Sequence, residues 1–151
     1  MKLYFIRHGK AERHAQSDAD RALTERGRRN VASVIGNRRK ALQTLDLVIS
    51  SPYLRARQTA QIAMRELGYR GELLLCADLE PGANLRDLFQ FINRLEQEAI
   101  LLTTHQPVIG EAVSTLLDDD AYSTIGTSWL VALECDAAVA GCANLSWIEE
   151  P

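Results

Sequence analysis

The feature that most constrains this chain is a repeated change of hydrophobic rhythm along its length. Lys2–Ile6, Leu45–Ser50, Glu72–Leu75, Ala99–Thr103, Ser128–Cys135 and Asn144–Ile148 are short apolar runs that read as strands, the last two joined through Gly141. Between them the apolar spacing lengthens to three or four residues. Thr24 to about Gln43 reads as a helix with Val31, Val34, Ile35 and Leu42 on one face. Thr24 is placed to cap it, and Glu25 sits in the first turn, where the helix dipole favours an acid. Tyr53–Leu67 is a second helix, through Ala56, Ala60, Ala63, Met64 and Leu67, with Gly68 just past its end. Asn84–Leu95 is a third, through Leu85, Leu88, Phe89 and Ile92, and Pro107 is suited to open a fourth that runs to about Leu117. Strands alternating with helices predict an α/β fold, a three-layer sandwich around a mostly parallel central sheet, with an antiparallel edge strand from the last two runs. No repeat, linker or large cap insertion interrupts the pattern, so residues 1–151 are expected to form one domain.

Composition excludes several classes. Apolar residues make up 46% and charged residues 25%, as in ordinary globular domains and unlike disordered or fibrous chains. At this length a core forms without disulfide staples. No apolar run approaches the ~18 residues of a membrane span. Leu3–Ile6, ahead of Arg7, falls short of the roughly 7–15 apolar residues of a secretory signal, so a cytoplasmic protein is expected. The net charge of −3 argues against a nucleic-acid partner, which calls for a basic surplus. Cys76, Cys135 and Cys142 form no CxxC and read as small buried residues; whether Cys135 and Cys142 pair across the last hairpin stays open.

In such sheets the site lies beyond the carboxyl ends of the strands. The loops there carry Arg7-His8-Gly9, Ser51-Pro52-Tyr53-Leu54-Arg55-Ala56, Glu80, and His105 after Thr104. Two of the three histidines directly follow predicted strands, with arginines beside them. Attack on a phosphoryl group by imidazole needs this set: a histidine nucleophile, and fixed guanidiniums that grip the phosphoryl oxygens in pairs. Gly9 lets the backbone approach a ligand closely. There is no GxxxxGK[ST] phosphate loop, and no carboxylate or thiolate stands at metal-ligand spacing from His8, His14 and His105.

These segments resemble the histidine phosphatase superfamily. Arg7-His8-Gly9 resembles its signature, Leu23-Thr24-Glu25-Arg26-Gly27 its LTxxG segment, and Ser51–Ala60 its SPxxRAxQTA segment; His105 looks like its second histidine. The short length and Ser17-Asp18…Arg21…Leu23-Thr24 are more similar to the SixA-type protein-phosphohistidine phosphatases than to the mutases. The resemblance implies that His8 is the nucleophile and passes through a phosphohistidine, that Arg7 and Arg55 bind the phosphoryl oxygens, and that His105 stabilises the transition state. Arg21 is a candidate for the pocket rim. It implies no metal and no cofactor.

Relatives that act on phosphomonoesters carry an acid on the loop after the third strand. Here that loop reads Asp78-Leu79-Glu80-Pro81-Gly82, so Glu80 is either that acid or a solvated loop residue. Imidazole leaves more readily than an alkoxide and needs no strong general acid. The expected substrate is therefore phosphohistidine on a signalling protein, a histidine-containing phosphotransfer domain. The alternatives are a small-molecule phosphomonoesterase and a non-catalytic phosphoprotein-binding module. His14 and Asp118-Asp119-Asp120 read as solvated, and Arg26, Arg28, Arg29, Arg38, Arg39 and Lys40 as the wet face of a helix.

Overall fold

The computed structural model describes residues 1–151. Its strands are β1 (Lys2–Arg7), β2 (Leu47–Ser50), β3 (Leu73–Leu75), β4 (Ala99–Thr104), β5 (Leu130–Cys135) and β6 (Ala143–Glu149). Its α-helices are α1 (Glu25–Asn37), α2 (Leu54–Leu67), α3 (Leu85–Ile92) and α4 (Val108–Leu117). The sheet order is β3-β2-β4-β1-β5-β6. The first four are parallel neighbours; β5 runs against β1, and β6 runs against β5, so an antiparallel pair closes one edge.

Alternation along the strands splits the core into two layers. Leu3 and Phe5 of β1, Ile100 and Leu102 of β4, and Val131 and Leu133 of β5 join Leu88 and Ile92 of α3 and Ile109, Val113 and Leu116 of α4. Tyr4, Ile6, Ala99, Leu101, Leu130 and Ala132 point the other way, onto Val31, Val34 and Ile35 of α1 and Ala60 and Ala63 of α2. The three layers expected from the sequence are present.

Thr24 caps α1, its Oγ1 accepting from the Gly27 N–H at 2.9 Å. The helix ends at Asn37 rather than near Gln43. Gly36 and Asn37 are poor helix formers, and the Arg38 N–H turns back to the Ile35 carbonyl at 3.1 Å. Leu42 still reaches the core, from a separate turn whose N–H bonds the Arg38 carbonyl. Asn84 caps α3 through the Arg86 N–H, and the helix stops at Ile92 because the Asn93 amide exchanges hydrogen bonds with Ala138. Gly68 ends α2 in the left-handed region. All three cysteines are free. Cys76 and Cys135 are buried as expected, but Cys142 is exposed, in the turn before β6.

Candidate active site

Strand register builds the site. Arg7 of β1 lies opposite Thr104 of β4, and Ser50 of β2 opposite Thr103. His8, Ser51 and His105 are therefore the first residues beyond three adjacent strand ends. The ladders run on past the ends: the His8 N–H bonds the Thr104 carbonyl and the Ser51 N–H bonds the Thr103 carbonyl, each at 3.0 Å. The two imidazoles meet with ring centroids 5.0 Å apart, and Tyr53 packs edge-on against His105 at 5.1 Å.

His8 is 7% exposed, His105 1% and Arg55 4%, deep burial for polar side chains. His8 Nδ1 lies 2.7 Å from the Gly9 carbonyl, which can only accept, so Nδ1 carries the proton. Nε2 then presents a lone pair, which takes the Arg55 Nε–H at 3.2 Å. Burial first, and then the guanidiniums of Arg55, Arg7 and Arg21, push the His8 pKa down from 6.5 to about 4; the ring is neutral at neutral pH. His105 is lowered to about 3, chiefly by burial, then by His8 and Arg55. Its Nε2 is 2.8 Å from the Ser51 hydroxyl, and its Nδ1 is buried with no partner.

Arg55 enters from the first turn of α2. Its Nη1 donates to the Asp18 carbonyl (2.7 Å) and its Nη2 to the Asp18 carboxylate (3.2 Å), on the 3-10 turn Asp18–Asp20 between β1 and α1. Arg21 joins the same carboxylate at 2.8 Å, which puts it on the rim of the cluster. The hydrogen bond from Arg21, and then the charge of Arg55, hold the Asp18 pKa low. Arg7 sends Nη1 to the Ile125 carbonyl at 2.8 Å, while its Nε is buried and unpartnered. Burial and Arg55 lower the Arg7 pKa, a sign of how tightly positive charge is gathered here.

Gly9 serves a different purpose from the one read in the sequence. A Cβ there would stand 2.9 Å from the Gly27 carbonyl, so its close approach is to α1. Its N–H donates to Thr59 Oγ1 (3.1 Å), and Thr59 in turn donates to the Arg55 carbonyl (2.8 Å). Glu80 follows the 3-10 turn Ala77–Leu79, which Thr104 Oγ1 ties to the end of β4 through the Leu79 carbonyl at 2.7 Å. Its carboxylate makes no hydrogen bond or ion pair within the chain. His14, the Asp118–Asp120 run and Arg26, Arg28 and Arg29 of α1 are exposed, as read. Arg38, Arg39 and Lys40 instead lie beyond the end of α1, and Arg38 is half-buried, paired with Glu149 at 2.7 Å and stacked over Trp147.

Sequence reasoning missed Asp18, Ser51, Thr59 and Ser128 as parts of the site. Asp18, Ser51 and Thr59 lie inside motifs of the sequence that gave them no role. Ser128 acts through hydrogen bonds between distant segments, and spacing carries no signal for those.

Residues 3–80, just over half the chain, match the family described as histidine phosphatase superfamily (branch 1). An uncharacterised protein of Picosynechococcus is 37% identical over 121 residues, covering 74% of this chain and 70% of that one. The phosphohistidine phosphatase SixA of Escherichia coli is 26% identical over an alignment of 155 residues that spans 100% of this chain and 94% of SixA. Among solved structures, the protein histidine phosphatase SixA complexed with tungstate shares the fold with a TM-score of 0.91, at 23% identity over 100% of this chain and 97% of that one. The chain belongs to the histidine phosphatase superfamily and is a phosphatase of the kind that works with a histidine nucleophile.

Proposed function

We propose that this phosphatase removes phosphoryl groups from phosphohistidine on a signalling protein, a histidine-containing phosphotransfer domain, and that His8 is its nucleophile. The observation that carries the reading is the state of His8: neutral, with Nδ1 anchored on Gly9 and the Nε2 lone pair turned into a cluster of guanidiniums. Nε2 attacks phosphorus as the bond to the substrate's imidazole nitrogen breaks. The substrate ring, already protonated on its other nitrogen, leaves as neutral imidazole, the freed nitrogen keeping the electron pair of the broken bond. Arg55 moves its Nε–H from Nε2 to a phosphoryl oxygen, while Arg7 and the Nδ1 side of His105 bind the others. The Nδ1–H bond to the Gly9 carbonyl persists and supports the positive ring of the phosphorylated histidine. Water then attacks phosphorus, the P–Nε2 bond breaks, and inorganic phosphate leaves with His8 restored.

A protein-borne substrate is favoured by the lack of a long insertion after β2 and β4, whose connections to the next helices are only 51–53 and 105–107. It is favoured too by the likeness to SixA along nearly the whole of both chains. Glu80 has no required part, since imidazole leaves without a strong acid.

The test uses a labelled phosphotransfer domain and a rapid quench. Acid-labile label is expected on His8, and His8→Ala is expected to lose several orders of magnitude in kcat while staying folded. Label on a serine or cysteine, or a higher kcat/KM on small alkyl phosphates than on the phosphoprotein, overturns the reading.

A further inference from the structure

Three buried side-chain polar atoms in the whole chain lack a hydrogen-bond partner: Arg7 Nε, His105 Nδ1 and Ser128 Oγ. Buried polar atoms are nearly always paired, so each unpaired one calls for an explanation. These three are not scattered. Arg7 precedes His8 in the chain, the His105 ring packs against His8, and the Ser128 N–H reaches the carbonyls of Arg7 (3.1 Å) and His8 (3.3 Å). Two of them belong to residues already placed around the phosphoryl group. Ser128 does not, and no motif marks it.

Ser128 has a second peculiarity. Its φ is +64°, in the left-handed region that a serine rarely enters. Register explains the position. Ile6 of β1 pairs with Leu130 of β5, and the Arg7 N–H goes to the Trp129 carbonyl at 3.1 Å, so Ser128 stands opposite His8 where the β1–β5 ladder ends. The left-handed turn breaks the ladder there and directs the Ser128 N–H at both carbonyls of the Arg7–His8 step. The residue is 1% exposed, so its hydroxyl has no solvent to turn to. A strained backbone and an unpaired buried hydroxyl at one residue, beside the nucleophile, together point to a bound partner.

We propose that Ser128 is a further substrate-binding residue of this enzyme, its hydroxyl donating a hydrogen bond to a phosphoryl oxygen beside Arg7 Nε and His105 Nδ1. This rests on the reading of His8, Arg7, Arg55 and His105 as the phosphoryl site. A tetrahedral oxyanion at His8 Nε2 has oxygens enough to satisfy all three unpaired atoms at once.

The experiment measures tungstate binding by calorimetry and competitive inhibition in the wild type, Ser128→Ala, Ser128→Gly and Arg55→Ala. Both Ser128 variants lose the hydroxyl and keep the N–H, but only glycine also relieves the left-handed backbone. Weakening of tungstate binding by about tenfold or more is expected in both, as for a lost hydrogen bond to a charged group. The raised inhibition constant should persist in Ser128→Gly even where that variant melts no lower than the wild type, which a purely conformational role does not produce. Wild-type tungstate affinity in Ser128→Gly overturns the proposal, as does wild-type affinity in a folded Ser128→Ala. If those variants bind normally while Arg55→Ala does not, only the role of Ser128 fails. If the wild type itself binds no tungstate, the phosphoryl site fails with it.

Discussion

His8 gives up hydration in exchange for readiness to react. Burial among guanidiniums keeps it neutral, and the Gly9 carbonyl selects the tautomer that leaves Nε2 free. The same burial makes the fold sensitive to acid. In the unfolded chain both imidazoles take up protons near 6.5, but in the fold His8 does so only near 4 and His105 near 3. Below pH 6.5 the unfolded state binds protons that the folded state refuses. The stability that is complete above 6.5 is therefore lost as pH falls towards 4, at up to about 1.4 kcal/mol per pH unit for each histidine. Urea midpoints between pH 7 and 4.5 should show this slope in the wild type and lose it in a His8→Asn, His105→Asn double variant. Equal slopes in the two would mean that the imidazoles are not its source. His8, His105, Arg7 and Arg55 are legible in the sequence because each stands next to a strand end or opens a helix. Ser128 is not, since its left-handed backbone announces itself in sequence only when glycine or asparagine occupies the position.

Among the elements, α1 is the one whose fit governs the site. Gly27, in its first turn, lies so close to the loop that a Cβ would meet the Lys10 carbonyl, and Gly9 approaches the Gly27 carbonyl from the other side. The glycines of two sequence motifs thus lock one helix onto the loop that holds His8. Gly27→Ala is expected to destabilise the protein by about 1–3 kcal/mol, the usual result of overpacking, and to lower kcat, because the Gly9 carbonyl that orients His8 must shift. Gly36 sits in the same helix with open space where its Cβ would be. Gly36→Ala should leave kcat alone and raise stability by up to about 1 kcal/mol. Urea titrations and steady-state rates on the pair check both; equal effects would show that the close approach does not matter. The far end of α1 shows where periodicity misleads. Leu42 keeps the apolar spacing and lies in the core, yet Gly36 and Asn37 have already ended the helix. A hydrophobic pattern records burial, and burial does not require an unbroken helix.

Across the whole molecule, the positive field at the strand ends comes from Arg7, Arg21 and Arg55, tempered by Asp18. Side chains therefore supply the charge that a metal ion would otherwise bring. Activity should survive EDTA; its loss on chelation and return with Mg²⁺ or Zn²⁺ would contradict that account. The layered α/β architecture is readable from the alternation of strands and helices, but the strand order is not, because it depends on which edges meet and no residue pattern records that. The order carries one more consequence. β4 lies between β1 and β2, and β5 lies on the other side of β1, so His8, synthesised well ahead of Arg55, His105 and Ser128, has no completed surroundings until residues 99–135 have joined the sheet. A chain still emerging from the ribosome, or one cut before β5, carries His8 without the groups that bury and orient it in the finished fold.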